Sequence, residues 1–147
     1  MTSTIAAITV DSTDALAAAT FWSAVLDRPL DPDRPAHEHF AALRGDDATP
    51  TMMFIGVPEP RTVKNRVHLD LVTSDREAEV ERLVGLGATR LADHDEWGHV
   101  WTTLAVVHLA VSEQVGCGWA VACVTPVMGG VEQTAVYLVE TRSRLAA

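Results

Sequence analysis

The spacing of apolar residues along this chain switches between two periods, and the order of the switches repeats. Residues 5–10 alternate, with Ile8 and Val10 on one face and Ala7 and Thr9 on the other, which predicts a strand. From Asp14 the spacing becomes helical: Leu16, Ala19, Trp22, Val25 and Leu26 make one stripe over residues 14–26, opened by the capping oxygens of residues 12–14 and closed by Asp27-Arg28-Pro29. A loop follows at 31–35, and residues 39–44 and 51–57 read as strands around the turn Gly45-Asp46-Asp47. Pro58-Glu59-Pro60 forms a stiff connector. Residues 66–72 then alternate again, and residues 75–86 carry a helical stripe of Ala78, Val80, Leu83, Val84 and Leu86, with Gly87 placed to cap the C-terminus. Residues 89–92 and 100–104 read as strands around an acidic turn that includes Asp93, Asp95 and Gly98.

The second unit lies over the first at an offset of 61 residues, which marks an internal duplication. A strand and a helix cannot close a core alone, so paired copies are expected to leave a cleft where a ligand sits. The fold class is therefore α+β: two βαβββ modules, at about 5–60 and 66–113, forming a cleft-bearing sheet in a domain spanning 1–113, with an atypical C-terminal extension at 114–147. Alternation in the second module predicts Leu69 and Leu71 beneath the helix, and His68 and Asp70 on the opposite face toward the cleft.

Composition narrows the function. The chain has 147 residues, 48% apolar and 21% charged, which suits a globular domain. Its formal charge of −9 arises entirely before Gln114 and makes nucleic acid and acidic lipid poor partners. Residues 114–131 are uncharged but broken by Gly116, Gly118, Pro126, Gly129 and Gly130, so a membrane span is not expected. The first residues lack the pattern of a signal peptide, and a cytoplasmic protein is expected. Cys117 and Cys123 match neither a zinc pair nor a redox motif and read as small apolar residues.

Several stretches carry a family resemblance over roughly residues 5–105: Phe21-Trp22-Ser23-Ala24-Val25-Leu26, Val57-Pro58-Glu59-Pro60, Val63-Lys64-Asn65-Arg66-Val67-His68-Leu69-Asp70, Leu86-Gly87-Ala88-Thr89 and Gly98-His99-Val100-Trp101-Thr102-Thr103-Leu104-Ala105. The pattern resembles the vicinal oxygen chelate superfamily of glyoxalases, bleomycin-resistance proteins and dioxygenases, and is most similar to its actinobacterial glyoxalase-like branch. That resemblance implies a divalent metal held by the first and last strands of each module. In this chain the corresponding positions of module one are Ala7 and Ile55, neither of which binds metal, and the first-strand position of module two is His68. The last strand of module two has two readings. A shortened turn after Ala105 places His108 beside His68. Alternatively a long strand over 100–111 turns at Gly116-Cys117-Gly118, residues 119–124 are the final strand, and no further ligand is supplied. A further strand at 134–140 is expected to pair with a sheet edge or a partner subunit.

The site expected from the residues is an apolar cleft lined by Ala7, Thr9, Met53, Ile55, His68, Asp70 and Trp101, suited to an apolar or weakly cationic small molecule. Trp22 belongs to the core, and His37, His39, His94 and His99 read as solvated. The leading function is a small-molecule-binding protein without a complete catalytic metal site and with no cofactor. One alternative is a metal-dependent lyase, isomerase or dioxygenase, in which His68, His108 and a carboxylate such as Asp70 hold Mn, Fe, Ni or Zn. The other is a non-catalytic dimeric scaffold. A homodimer is expected in every case.

Overall fold

Asp14 opens the first helix as its sequence position requires: its Oδ1 accepts the Ala17 amide at 2.9 Å. The computed structural model describes residues 2–59, 67–96 and 99–106 and the backbone of 121–126. In chain order these form β1 (Ala7–Ser12), α1 (Ala15–Leu26), β2 (Phe40–Leu43), β3 (Thr51–Gly56), β4 (Leu69–Thr73), α2 (Arg76–Gly85), β5 (Ala88–Glu96), β6 (His99–Val106) and β7 (Val121–Pro126). They divide into two compact units, one holding β1 to β3 with α1 and the other β4 to β7 with α2.

In the first unit the strand order is β1-β3-β2, with β1 and β3 parallel and β2 and β3 antiparallel. Leu30 forms an isolated antiparallel bridge to Leu43, where a fourth strand would lie. Alternation sends Met52, Phe54, Ala41 and Leu43 to one face, all of them buried, and α1 packs on β2 and β3 there through Ala15, Ala18, Ala19, Phe21, Trp22 and Val25. The helical stripe is thus turned slightly from the sequence expectation: Leu16 and Leu26 are only half-buried. Asp27 ends the helix in the left-handed region at φ 50°, its amide donating to the Ser23 carbonyl.

The second unit has the order β4-β7-β6-β5, the same topology with the fourth strand complete. Here β7 lies parallel to β4 and antiparallel to β6, the place that β3 takes beside β1 and β2. Of the two readings of the last strand, the one that puts it after residue 116 is therefore the observed one, shifted by two residues, and the second sheet includes residues beyond 113. His108, residues 107–111 and the strand expected at 134–140 lie outside the described residues.

Three expectations for this unit need correction. The stretch read as an acidic turn is strand: β5 runs through Asp93 and Asp95 to Glu96, which pairs with His99. Asp93 stays in the ladder because the Thr102 hydroxyl on β6 donates to its Oδ1 at 2.6 Å. The buried face of α2 also differs, since Val80 and Leu83 are buried but Ala78 is exposed, Val84 is 44% exposed and Leu86 37%. Arg76 explains the rotation: its side chain reaches the sheet, NH1 donating to Thr102 Oγ1 at 2.6 Å, which sets residues 76, 79, 80 and 83 inward. Because α2 packs chiefly on β5, β6 and β7, Leu69 and Leu71 on β4 are half-buried rather than buried beneath it. Gly87 follows the helix at φ 107° and donates its amide to the Val84 carbonyl, as a C-terminal glycine should.

Candidate functional site

Each sheet has one face covered by its helix and one that its helix leaves open. On the first sheet the register aligns Ala7 with Thr51, Thr9 with Met53 and Ala42, and Asp11 with Ile55 and Phe40. Cross-strand partners share a face, so Ala7, Thr9, Met53 and Ile55 stand together opposite the α1 side. Met53 and Ile55 are half-buried and Thr9 is exposed. Gly56 ends β3 where the chain passes against 38–39: a Cβ there would lie 2.4 Å from the Glu38 carbonyl oxygen and 2.6 Å from the His39 Cα.

This face also carries charge that the apolar pattern did not reveal. Asp31, only 8% exposed, accepts the Asp33 amide at 3.1 Å and Arg44 NH2 at 2.7 Å, while Arg34 Nε lies 3.2 Å from its second oxygen. Arg44 also pairs with Asp33. The Asp33 amide above all, and then Arg44 and Arg34, hold the Asp31 carboxyl below the usual range despite its burial. The terminal nitrogen NH1 of Arg34 rests 3.5 Å from Met53 Sδ.

On the second sheet the register aligns Asp70 with position 123 and with Thr103 and Ala92, and pairs Trp101 with His94. These positions share the face opposite Leu69, Leu71, Thr102 and Leu104. His68 precedes β4 by one residue, and its buried Nε2 has no hydrogen-bond partner among the described residues. Trp101 is buried, and the His94 ring stacks on it with centroids 4.7 Å apart and planes 12° from parallel. His94 Nε2 lies 3.1 Å from Thr103 Oγ1. His94 was thus missed by the solvated reading. Its signal was the alternation Ala92-His94-Glu96 facing Trp101 and Thr103 across a short connection, which the acidic residues disguised as a turn. Arg34 had no periodic signal at all, because it lies in a loop.

The sequence model of the glyoxalase-like domain family matches residues 7–108. The chain belongs to that family. Solved structures with the same fold include a glyoxalase/bleomycin-resistance protein/dioxygenase from Nocardioides, at 17% identity with a TM-score of 0.56, covering 80% of this chain and 91% of that one. A family enzyme from Burkholderia phytofirmans aligns at 16% identity and TM-score 0.54, covering 68% and 87%. An antibiotic-binding protein from a Streptomyces species aligns at 17% identity and TM-score 0.52, covering 73% and 89%. No curated protein matches the sequence.

The positions to which the sequence resemblance assigns metal ligands can now be placed in the fold. Ala7 and Ile55 stand on the open face of the first sheet without a donor atom. His68 supplies an imidazole, and the position on β7 equivalent to Ile55 on β3 is Thr125, paired with Val72 as Ile55 is paired with Asp11. Among the described residues no group of three or more His, Cys, Asp or Glu side chains is arranged to share a metal ion. Among the described residues at these positions, His68 is the one that carries an imidazole. No described helix is long and apolar enough to cross a membrane.

Proposed function

We propose that this glyoxalase-like chain is a cytoplasmic small-molecule-binding protein whose ligand is held without a catalytic metal. The observation that carries the reading is the pair Ala7 and Ile55 on the open face of the first sheet: both fall where the resemblance implies metal ligands, and neither side chain binds a cation. The face that would present a metal presents instead Met53, Ile55 and Thr9, an apolar floor with one hydroxyl. On the second sheet Asp70, Trp101 and Thr103 give a similar mixture of one large ring with a few polar groups, the composition typical of ligand sites. An antibiotic-binding protein of the same fold supports the use of this fold for binding. A homodimer is part of this reading, checked by light scattering at working concentration.

The test is a thermal-shift screen of a small-molecule panel, run on the full chain in excess chelator. Stabilisation by at least one compound class, unchanged when chelator is replaced by Mn, Ni or Zn, is the expected result. Stabilisation that appears only with metal present would overturn the reading.

A further inference from the structure

We propose that the open face of the first unit takes a ligand bearing a carboxylate, and that Arg34 is the residue that grips it. The proposal rests on the small-molecule reading above and names the chemistry of its ligand. Arg34 is held by one edge only. Its Nε is set against Asp31, a buried carboxylate that Arg44 and the Asp33 amide fix in turn. The NH1/NH2 edge of the guanidinium can also bind a carboxylate through two parallel hydrogen bonds, and here it is poorly used. NH1 has a thioether, Met53 Sδ at 3.5 Å, as its acceptor, and NH2 has no hydrogen-bond partner among the described residues. The side chain is 45% exposed, so the fork is open to an incoming group.

Its surroundings give the ligand a direction. Met53 stands on the open face in register with Thr9 and Ala42, and Ile55 and Phe40 occupy the next row, so the surface beside the fork is apolar. Asp11 lies on the same face at the β1 end of the Ile55 row and is exposed. The two sides of the face therefore differ in charge: Arg34 and Arg44 balance Asp31 and Asp33 on one side, and the exposed carboxylate of Asp11 stands on the other. An anionic group is directed to the Arg34 fork and away from Asp11, leaving the apolar body over Met53 and Ile55. Arg44 is already matched by Asp31 and Asp33 and adds no second fork.

Isothermal titration of the full chain with three probes of one shape tests this: 2-naphthoate, 2-naphthamide and 2-naphthylmethylammonium. The expected result is that 2-naphthoate binds tightest, by roughly tenfold over the amide, as suits a charge-assisted bidentate pair. Its affinity falls as salt is added. Arg34→Gln brings naphthoate down to the level of the amide while amide binding is kept, which also shows that the variant is folded, and Arg34→Lys gives an intermediate value. Equal affinities for the three probes, a preference for the ammonium, full naphthoate affinity in Arg34→Gln, or no binding of any probe would each overturn the proposal. Failure of the small-molecule reading itself is distinguishable, because it appears as a ligand screen that is empty for every class of compound.

Discussion

Gly56 shows how far a single residue controls the first sheet. A methyl group there would meet the backbone of Glu38 and His39, which is fixed in place by the Gly56 amide donating to the His39 carbonyl at 2.9 Å. Gly56→Ala is expected to destabilise the protein by about 1–3 kcal/mol, as overpacking against main chain does, read from urea unfolding. Core truncation gives a second check. Phe54 is fully buried, so Phe54→Ala should cost roughly 3–5 kcal/mol, whereas Leu69→Ala should cost clearly less because Leu69 is only half-buried. A larger loss for Leu69→Ala would mean that β4 lies beneath its helix after all. The sequence revealed the face of each of these residues but not its depth. Alternation assigns Leu69 and His68 to opposite sides of a strand, and it says nothing about which strands the helix will cover.

At the scale of elements, α2 is tied to β5 by a closed ring of charges. Arg76 bonds Glu77 at 2.7 Å and approaches Asp93 at 3.3 Å, and Arg90 bonds Glu77 at 2.9 Å and Asp93 at 2.8 Å. The hydrogen bond from Arg90 draws the Glu77 carboxyl below its ordinary pKa against the effect of burial. For Asp93, burial pulls upward, and hydrogen bonds from Thr102 and Arg90 outweigh it, so the net shift is also downward. Folded-state values below the unfolded ones mean that this stabilisation is complete above the ordinary carboxylate range near pH 4 and is lost as pH falls through the folded values. Urea unfolding at a series of pH values from neutral to about pH 3 should show stability falling in acid, and Thr102→Val should reduce that fall while costing about 1–3 kcal/mol at neutral pH. A variant with unchanged pH dependence would remove Asp93 as a contributor. The helices were legible through Asp14, Asp75 and Gly87, whose roles are local. The length of β5 was not, because Asp93, one of the acids that suggested a turn, is held in the ladder by Thr102 and Arg76, partners distant in sequence.

For the whole molecule, the duplication visible in the sequence is the repeated order β1-β3-β2 and β4-β7-β6-β5, and it bears on the proposal that the ligand is held without a metal. It makes β7 the partner of β4, so the position equivalent to Ile55 is Thr125, and His68 is left as the single strong donor among the superfamily positions. The sequence alone left this open because the shortened turn after Ala105 falls where no Gly, Pro, Asn, Asp or Ser favours it, while Gly116-Cys117-Gly118 offers a later one. The most direct measurement is metal content per chain by elemental analysis, on protein purified without chelator and again after incubation with Mn, Fe, Ni or Zn and removal of free ion. The expected result is far less than one ion per chain in both samples, with thermal unfolding unchanged by the added metal. One tightly bound ion per chain, lost in His68→Ala, would contradict the account.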